Sequence, residues 1–250
     1  MDNRKTTIIS ISIIIGLTLS ALVVGRAIQR FKQEDRTISV KGFAEREVKS
    51  DLAVWTIRTR VAGNDLDAGS KESELAKNKV IDFLQKNNIT GEEIIVKGLV
   101  VNDKKAREYG DNNVNGFRYL IDNVVQVRSN KVDNIQKVSR MTDELLKAGV
   151  IITNENEFGG AVRFYFTRLN DIKPAMLTEA TINARKAAEQ FATESKMRLG
   201  KLKNANQGLF TIMDRDSFLA SQSSGDYYPG GGSDLVKKVR VVVSIDYSVK

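Results

Sequence analysis

The chain contains no cysteine and no histidine, only two prolines and a single tryptophan. Without cysteine there is no disulfide framework, no thiolate nucleophile and no Cys-ligated zinc. Without histidine there is no imidazole base, so neither a Ser-His-Asp nor a Cys-His arrangement can be built. Catalysis would fall to carboxylates, lysine, tyrosine or Ser-Lys chemistry, and no constellation of these stands out. No Gly-rich phosphate loop opens a helix; Gly230 to Gly232 lacks both a Lys-Ser/Thr ending and a helix after it. The expectation is a non-enzymatic protein with no cofactor and no bound metal.

What is present describes a globular chain of 250 residues, 41% hydrophobic, with 39 Lys+Arg against 31 Asp+Glu. Four basic and one acidic side chain lie in residues 1–30, which leaves 35 basic and 30 acidic beyond. That surplus is mild. The basic residues are scattered among acids instead of gathered on one element with aromatics, which argues against a nucleic-acid partner.

After Arg4-Lys5, residues 6–25 (TTIISISIIIGLTLSALVVG) carry no charge and hold eleven Ile, Leu or Val. As a helix this run would reach about 30 Å, the hydrocarbon thickness of a bilayer. It exceeds the usual apolar core of a signal peptide, which favours a retained anchor over secretion after cleavage near Val23-Val24-Gly25. Arg26, Arg30, Lys32 and Arg36 follow the run, so the positive-inside count does not decide orientation. The expected organisation is a signal anchor with its flanks at 1–30, a solvated linker at 31–36 and a folded domain at 37–250.

Period-two alternation marks the strands. In the last of them Val239, Val241, Val243, Ile245, Tyr247 and Val249 share one face. A second runs from Phe117 to Val127, and others fall near Thr37–Ala44, Leu52–Val61, Ile94–Val101, Ala161–Thr167 and Leu209–Met213. Trp55 alternates with Ile57 and is expected in the core. Helical stripes cover Asp67–Asn87 (Ala76, Val80, Phe83, Leu84) and Val132–Ala148 (Val132, Ile135, Val138, Leu145, Leu146). A third helix, Asp171–Leu199, presents Leu177, Ala180, Ala184, Ala187, Ala188, Phe191 and Ala192, with Pro174 in its first turn; its alanines would let it approach a sheet closely.

The first two helices end alike. Leu84–Ile89 and Leu145–Val150 each place Asn or Gly at a left-handed position and an apolar residue beyond it, able to pack on the Leu five residues earlier as in a Schellman cap. Helices alternating with strand pairs argue for an α+β fold, an N-terminal transmembrane helix followed by largely antiparallel sheets packed with three helices, in one or two sub-domains.

Polar segments receive modest roles. Asp103, Asp111, Asn112 and Asn113 could offer oxygens to a cation, but their spacing is not that of an EF-hand and suits an ordinary loop. Asn154 to Glu157 reads as a solvated turn, and Arg185, Lys186 and Glu189 as surface positions on the third helix where Lys186 could contact Gln190 or Glu189. The segment Asp214 to Asp234 is long, Ser/Gly-rich and without apolar period. Phe218, Tyr227 and Tyr228 within it are candidate contacts with a partner subunit.

Several landmarks occur in a consistent order: Ile38-Ser-Val-Lys-Gly-Phe-Ala-Glu45, Asp51-Leu-Ala53, a helix ending Asn88-Ile89, Gly116-Phe-Arg-Tyr119, Ala184-Arg-Lys-Ala-Ala-Glu-Gln-Phe-Ala192 and Leu199-Gly-Lys-Leu202. In this the chain from Thr37 to Lys250 resembles the SIMPL-domain family of bacterial extracytoplasmic proteins. Ser50 stands where that family commonly has Pro. The resemblance implies an exported, non-enzymatic α+β protein, anchored in the cytoplasmic membrane with its C-terminal domain on the periplasmic side. It implies self-association into a homo-oligomer and a role in envelope integrity or oxidative-stress tolerance, with no catalytic residue to carry over. The lipid bilayer, through residues 6–25, is the other expected partner. A periplasmic binding protein for a small ligand or peptide is the alternative reading.

Overall fold

The structure, a computed structural model, describes residues 13–26, 36–106, 116–153, 162–215 and 232–249. Its helices are α1 (13–26), α2 (Leu66–Lys86), α3 (Val132–Val138), α4 (Asp143–Lys147) and α5 (Leu169–Glu194). Its strands are β1 (Thr37–Lys49), β2 (Leu52–Gly63), β3 (Ile94–Asp103), β4 (Tyr119–Ser129), β5 (Val162–Tyr165), β6 (Leu199–Gln207), β7 (Thr211–Asp214) and β8 (Val236–Val249). The α+β class expected from the strand and helix periods is the one found.

Of the expected membrane segment, residues 13–25 lie in α1 and residues 6–12 lie outside the described residues. The Ile, Leu and Val side chains of α1 are all between 53% and 66% exposed. Among the described residues no helix is long and apolar enough to cross a membrane.

The strands form two four-stranded sheets. In one, the order is β1-β8-β6 with β7 also on β8; in the other it is β3-β4-β2-β5. The resolved registers in both are antiparallel. The chain divides into two compact units, Met1–Glu45 with Lys173–Phe210 and Arg240–Lys250, and Arg46–Ile172 with Thr211–Val239. Chain-distant segments thus share a unit.

In the first unit the alanines of α5 decide the packing. Met176, Ala180, Ala184, Ala188 and Ala192 form its buried stripe, at a spacing of four. Gly42 of β1 approaches so closely that a Cβ there would meet the carbonyl oxygen of Ala180 and the amide nitrogen and Cβ of Ala184. Phe191, expected on the buried stripe, is 59% exposed, because one residue before Ala192 is about 100° around the helix. The helix also starts at Leu169, two residues before the expected Asp171, so Pro174 falls in its second turn instead of its first.

In the second unit, Trp55 and Ile57 of β2, Val125 and Val127 of β4 and the α2 stripe of Ala76, Val80, Phe83 and Leu84 join one core. The Asp65 side chain caps α2 by accepting from the Ala68 N–H at 3.0 Å. Asn123 of β4 spans to the same helix, its Nδ2 donating to Ser73 Oγ at 2.8 Å.

The expected single helix over Val132–Ala148 is two. The Ser139 hydroxyl donates back to the Gln136 carbonyl, and the Arg140 and Met141 amides bond three residues back, to Lys137 and Val138. Such tightening ends an α-helix. The chain then restarts as α4 and keeps Leu145 buried.

Candidate functional site

The break between α3 and α4 makes room for a cleft. Residues 139–142 turn Ser139, Arg140 and Thr142 to one side, while Met141 packs on the core. The Schellman cap after α4 sends Val150 back inside, its N–H bonding the Leu145 carbonyl at 2.9 Å. Ile152 then pairs with Thr59 of β2. Across from the turn, the short strand β5 contributes Val162 and Phe164 beside Trp55 and Ile57. The result is a cleft of about 610 Å³.

Its floor is apolar and aromatic; its rim is polar, with Gln136, Ser139, Arg140, Thr142, Asp143 and Ser233. Asp143 is held by Lys147 at 3.1 Å. The Arg140 side chain, exposed, makes no hydrogen bond or ion pair with any described residue. A smaller hollow of about 360 Å³ shares Gln136, Arg140 and Ser233 and adds Arg215 and Asp234. A concave, mainly apolar site with a few polar groups is the usual form of a small-ligand site.

The long segment of the sequence reading is fastened beside this hollow. Asp214 closes β7, and its carboxylate pairs with Lys237 Nζ, a side chain only 3% exposed. The same Nζ donates to the Gly232 carbonyl at 3.1 Å, and that carbonyl accepts the Phe164 N–H at 3.0 Å. Phe218, Tyr227 and Tyr228, the expected partner contacts, lie outside the described residues, as do Gly230 and Asn154 to Glu157.

The remaining expectations resolve individually. The Asp103 carboxylate accepts from Arg118 Nε at 3.0 Å and 3.2 Å, one to each oxygen, and from Nη2 at 2.8 Å, and this pairing holds its carboxyl below the usual range. Asp111, Asn112 and Asn113 lie outside the described residues. Among the described residues no group of three or more acidic side chains could hold a metal ion. Of the surface positions on α5, Arg185 pairs with Glu189 at 2.8 Å, where the sequence pointed to Lys186 as the contacting residue.

Two features escaped the sequence reading. Lys237 continues the inward face of Val239, Val241 and Val243, and a lysine at an inward position of an alternating strand is the signal that marks a buried pair. Arg140 carried no such signal, because a continuous helix would have placed it among ordinary surface charges.

Residues 38–247 match the family model SIMPL, described as a protein of unknown function (DUF541). No curated protein matches the chain.

Proposed function

The chain belongs to the SIMPL family, and from that premise we propose that it is a membrane-tethered, extracytoplasmic interaction module that self-associates and catalyses no reaction. Its N-terminal run tethers it to the cytoplasmic membrane, and the domain from Thr37 onward works on the outer side, in envelope integrity or stress tolerance.

The observation that carries the tether is α1. Ile13, Ile14, Leu17, Leu22 and Val24 are all exposed by more than half, and they point to several sides of the helix. Apolar surface of that kind is stable in lipid and not in water. Self-association is supported by β3, the last strand at one end of its described sheet. Val96, Leu99, Val100 and Val101 on it are 42% to 60% exposed, and an open apolar edge is a template for strand pairing. Phe218, Tyr227 and Tyr228 are further proposed contacts. The absence of histidine and cysteine supports a non-catalytic role.

Carbonate washing of membranes from cells producing the full chain tests the tether. The chain stays in the pellet, and Leu17→Lys with Leu19→Lys, at roughly 2.5–3.5 kcal/mol each for insertion, releases it. Equal release of both forms overturns the tether. Protease added to spheroplasts digests the domain if it faces outward and spares it if the orientation is the reverse. Light scattering of the purified full chain in non-ionic detergent gives a discrete oligomer that Val100→Lys dissociates; a monomer overturns self-association.

A further inference from the structure

The cleft beside the α3–α4 turn serves neither tether nor self-association, yet its chemistry is selective. Leu146, Ile152 and Val162 give it an accessible apolar wall, with Trp55, Ile57 and Phe164 buried behind it, and Arg140 lines both the cleft and the smaller hollow. Arg140 has no partner among the described residues, whereas Asp143, the acid beside it on the rim, is engaged by Lys147. An unpaired guanidinium next to apolar surface is complementary to a carboxylate on an apolar chain. The fork of N–H groups accepts the carboxylate in two parallel bonds, while the chain gains roughly 25 cal/mol for each Å² it removes from water.

We propose that this cleft binds a small monocarboxylate with a medium-length apolar chain, its carboxylate on Arg140 and its chain against Leu146, Ile152 and Val162. Ser139, Thr142 and Ser233 line the same cleft. The volume, about 610 Å³, lies within the roughly 300–1,000 Å³ of small-ligand sites. An amine of equal length is excluded by the guanidinium, and an alcohol forfeits the charge-assisted pair.

Trp55 is the chain's single tryptophan and lies buried in the lining of the cleft, so its emission comes from one known place. The full chain in non-ionic detergent is titrated with octanoate, octanol and octylamine, which share one chain length. Equilibrium dialysis of radiolabelled octanoate against protein-free micelles reads binding independently of fluorescence. The expected result is saturable octanoate uptake with a shift in Trp55 emission, weakened tenfold or more in Arg140→Gln and for octanol, and absent for octylamine. Arg140 is exposed and unpaired, so Arg140→Gln keeps the wild-type melting temperature. Octanoate uptake no greater than that of protein-free micelles overturns the proposal. So does equal affinity for the three ligands, or for wild type and Arg140→Gln. Carbonate washing and light scattering read the tether and the oligomer separately, so a failure here leaves those readings standing or falling on their own tests.

Discussion

Lys237 and Asp214 form a buried ion pair between β8 and β7, two strands that are neighbours in one sheet although 16 residues between them, 216–231, lie outside the described structure. The ammonium also holds the Gly232 carbonyl, so one cation secures both ends of that segment. Removing a single partner from such a pair strands a charge that is largely shielded from water. Lys237→Met is therefore expected to lower stability by about 3–5 kcal/mol, and Asp214→Leu with Lys237→Met to recover most of the loss. Urea unfolding followed by Trp55 emission measures both, since all three residues belong to the same unit. Equal losses in the single and double variants would show the pair to be incidental.

Three helix ends use one device. Ile89 bonds the Leu84 carbonyl, Val150 that of Leu145, and Met197 that of Ala192, each through a left-handed residue: Asn88 at φ 61°, Gly149 at φ 80° and Lys196 at φ 54°. Only glycine adopts that conformation without steric penalty. Lys196→Gly is expected to raise stability by up to about 1 kcal/mol, and Gly149→Ala to lower it by a similar amount. Thermal unfolding of the two variants against wild type decides it; shifts in the same direction would contradict the argument.

The first two of these caps were legible in the sequence because Asn88-Ile89 and Gly149-Val150 carry the residue types the geometry demands; the third was not, since Lys196 is an unusual left-handed residue. The strands were legible where one face is buried: Trp55 and Ile57, or Val239 to Val249, alternate because the core requires it. β6 went unread for the opposite reason. It lies at the end of its sheet, all of its residues from Lys201 to Gln207 are exposed, and register shifts at Leu202 interrupt the period of two. The cleft was hidden because it exists only where Val132–Ala148 breaks, and the break rests on the Ser139 hydroxyl, which in a periodicity reading is one more polar surface residue.

Gly42 tests how closely α5 is seated. Two of the three atoms that a Cβ would strike, the Ala180 carbonyl oxygen and the Ala184 nitrogen, belong to the backbone and cannot rotate aside. Gly42→Ala is expected to cost about 1–3 kcal/mol through displacement of the helix. Ala184→Gly should not rescue it, since it removes only the third atom. Amide exchange of α5 read by mass spectrometry reports the displacement, and unchanged protection in Gly42→Ala would refute the close seating.

Acid stability turns on Arg60 and Asp122, adjacent in the β2–β4 register. The guanidinium donates from Nε to Oδ1 at 2.7 Å and from Nη2 to Oδ2 at 2.8 Å. These bonds, with the charges of Arg60 and Arg58, hold the Asp122 carboxyl below its usual range despite partial burial. A carboxyl depressed on folding contributes stability that is fully present above its unfolded pKa of about 3.9 and is lost as pH falls through the lower folded value. Asp122→Asn should therefore cost roughly 1–2 kcal/mol at pH 7. The gap between variant and wild type should narrow as pH is taken below 4, because protonation then gives the wild-type carboxyl the same neutral character as the amide. Urea midpoints measured from pH 7 to pH 2 test this: a gap constant across that range would mean that the pair contributes through shape and not through charge.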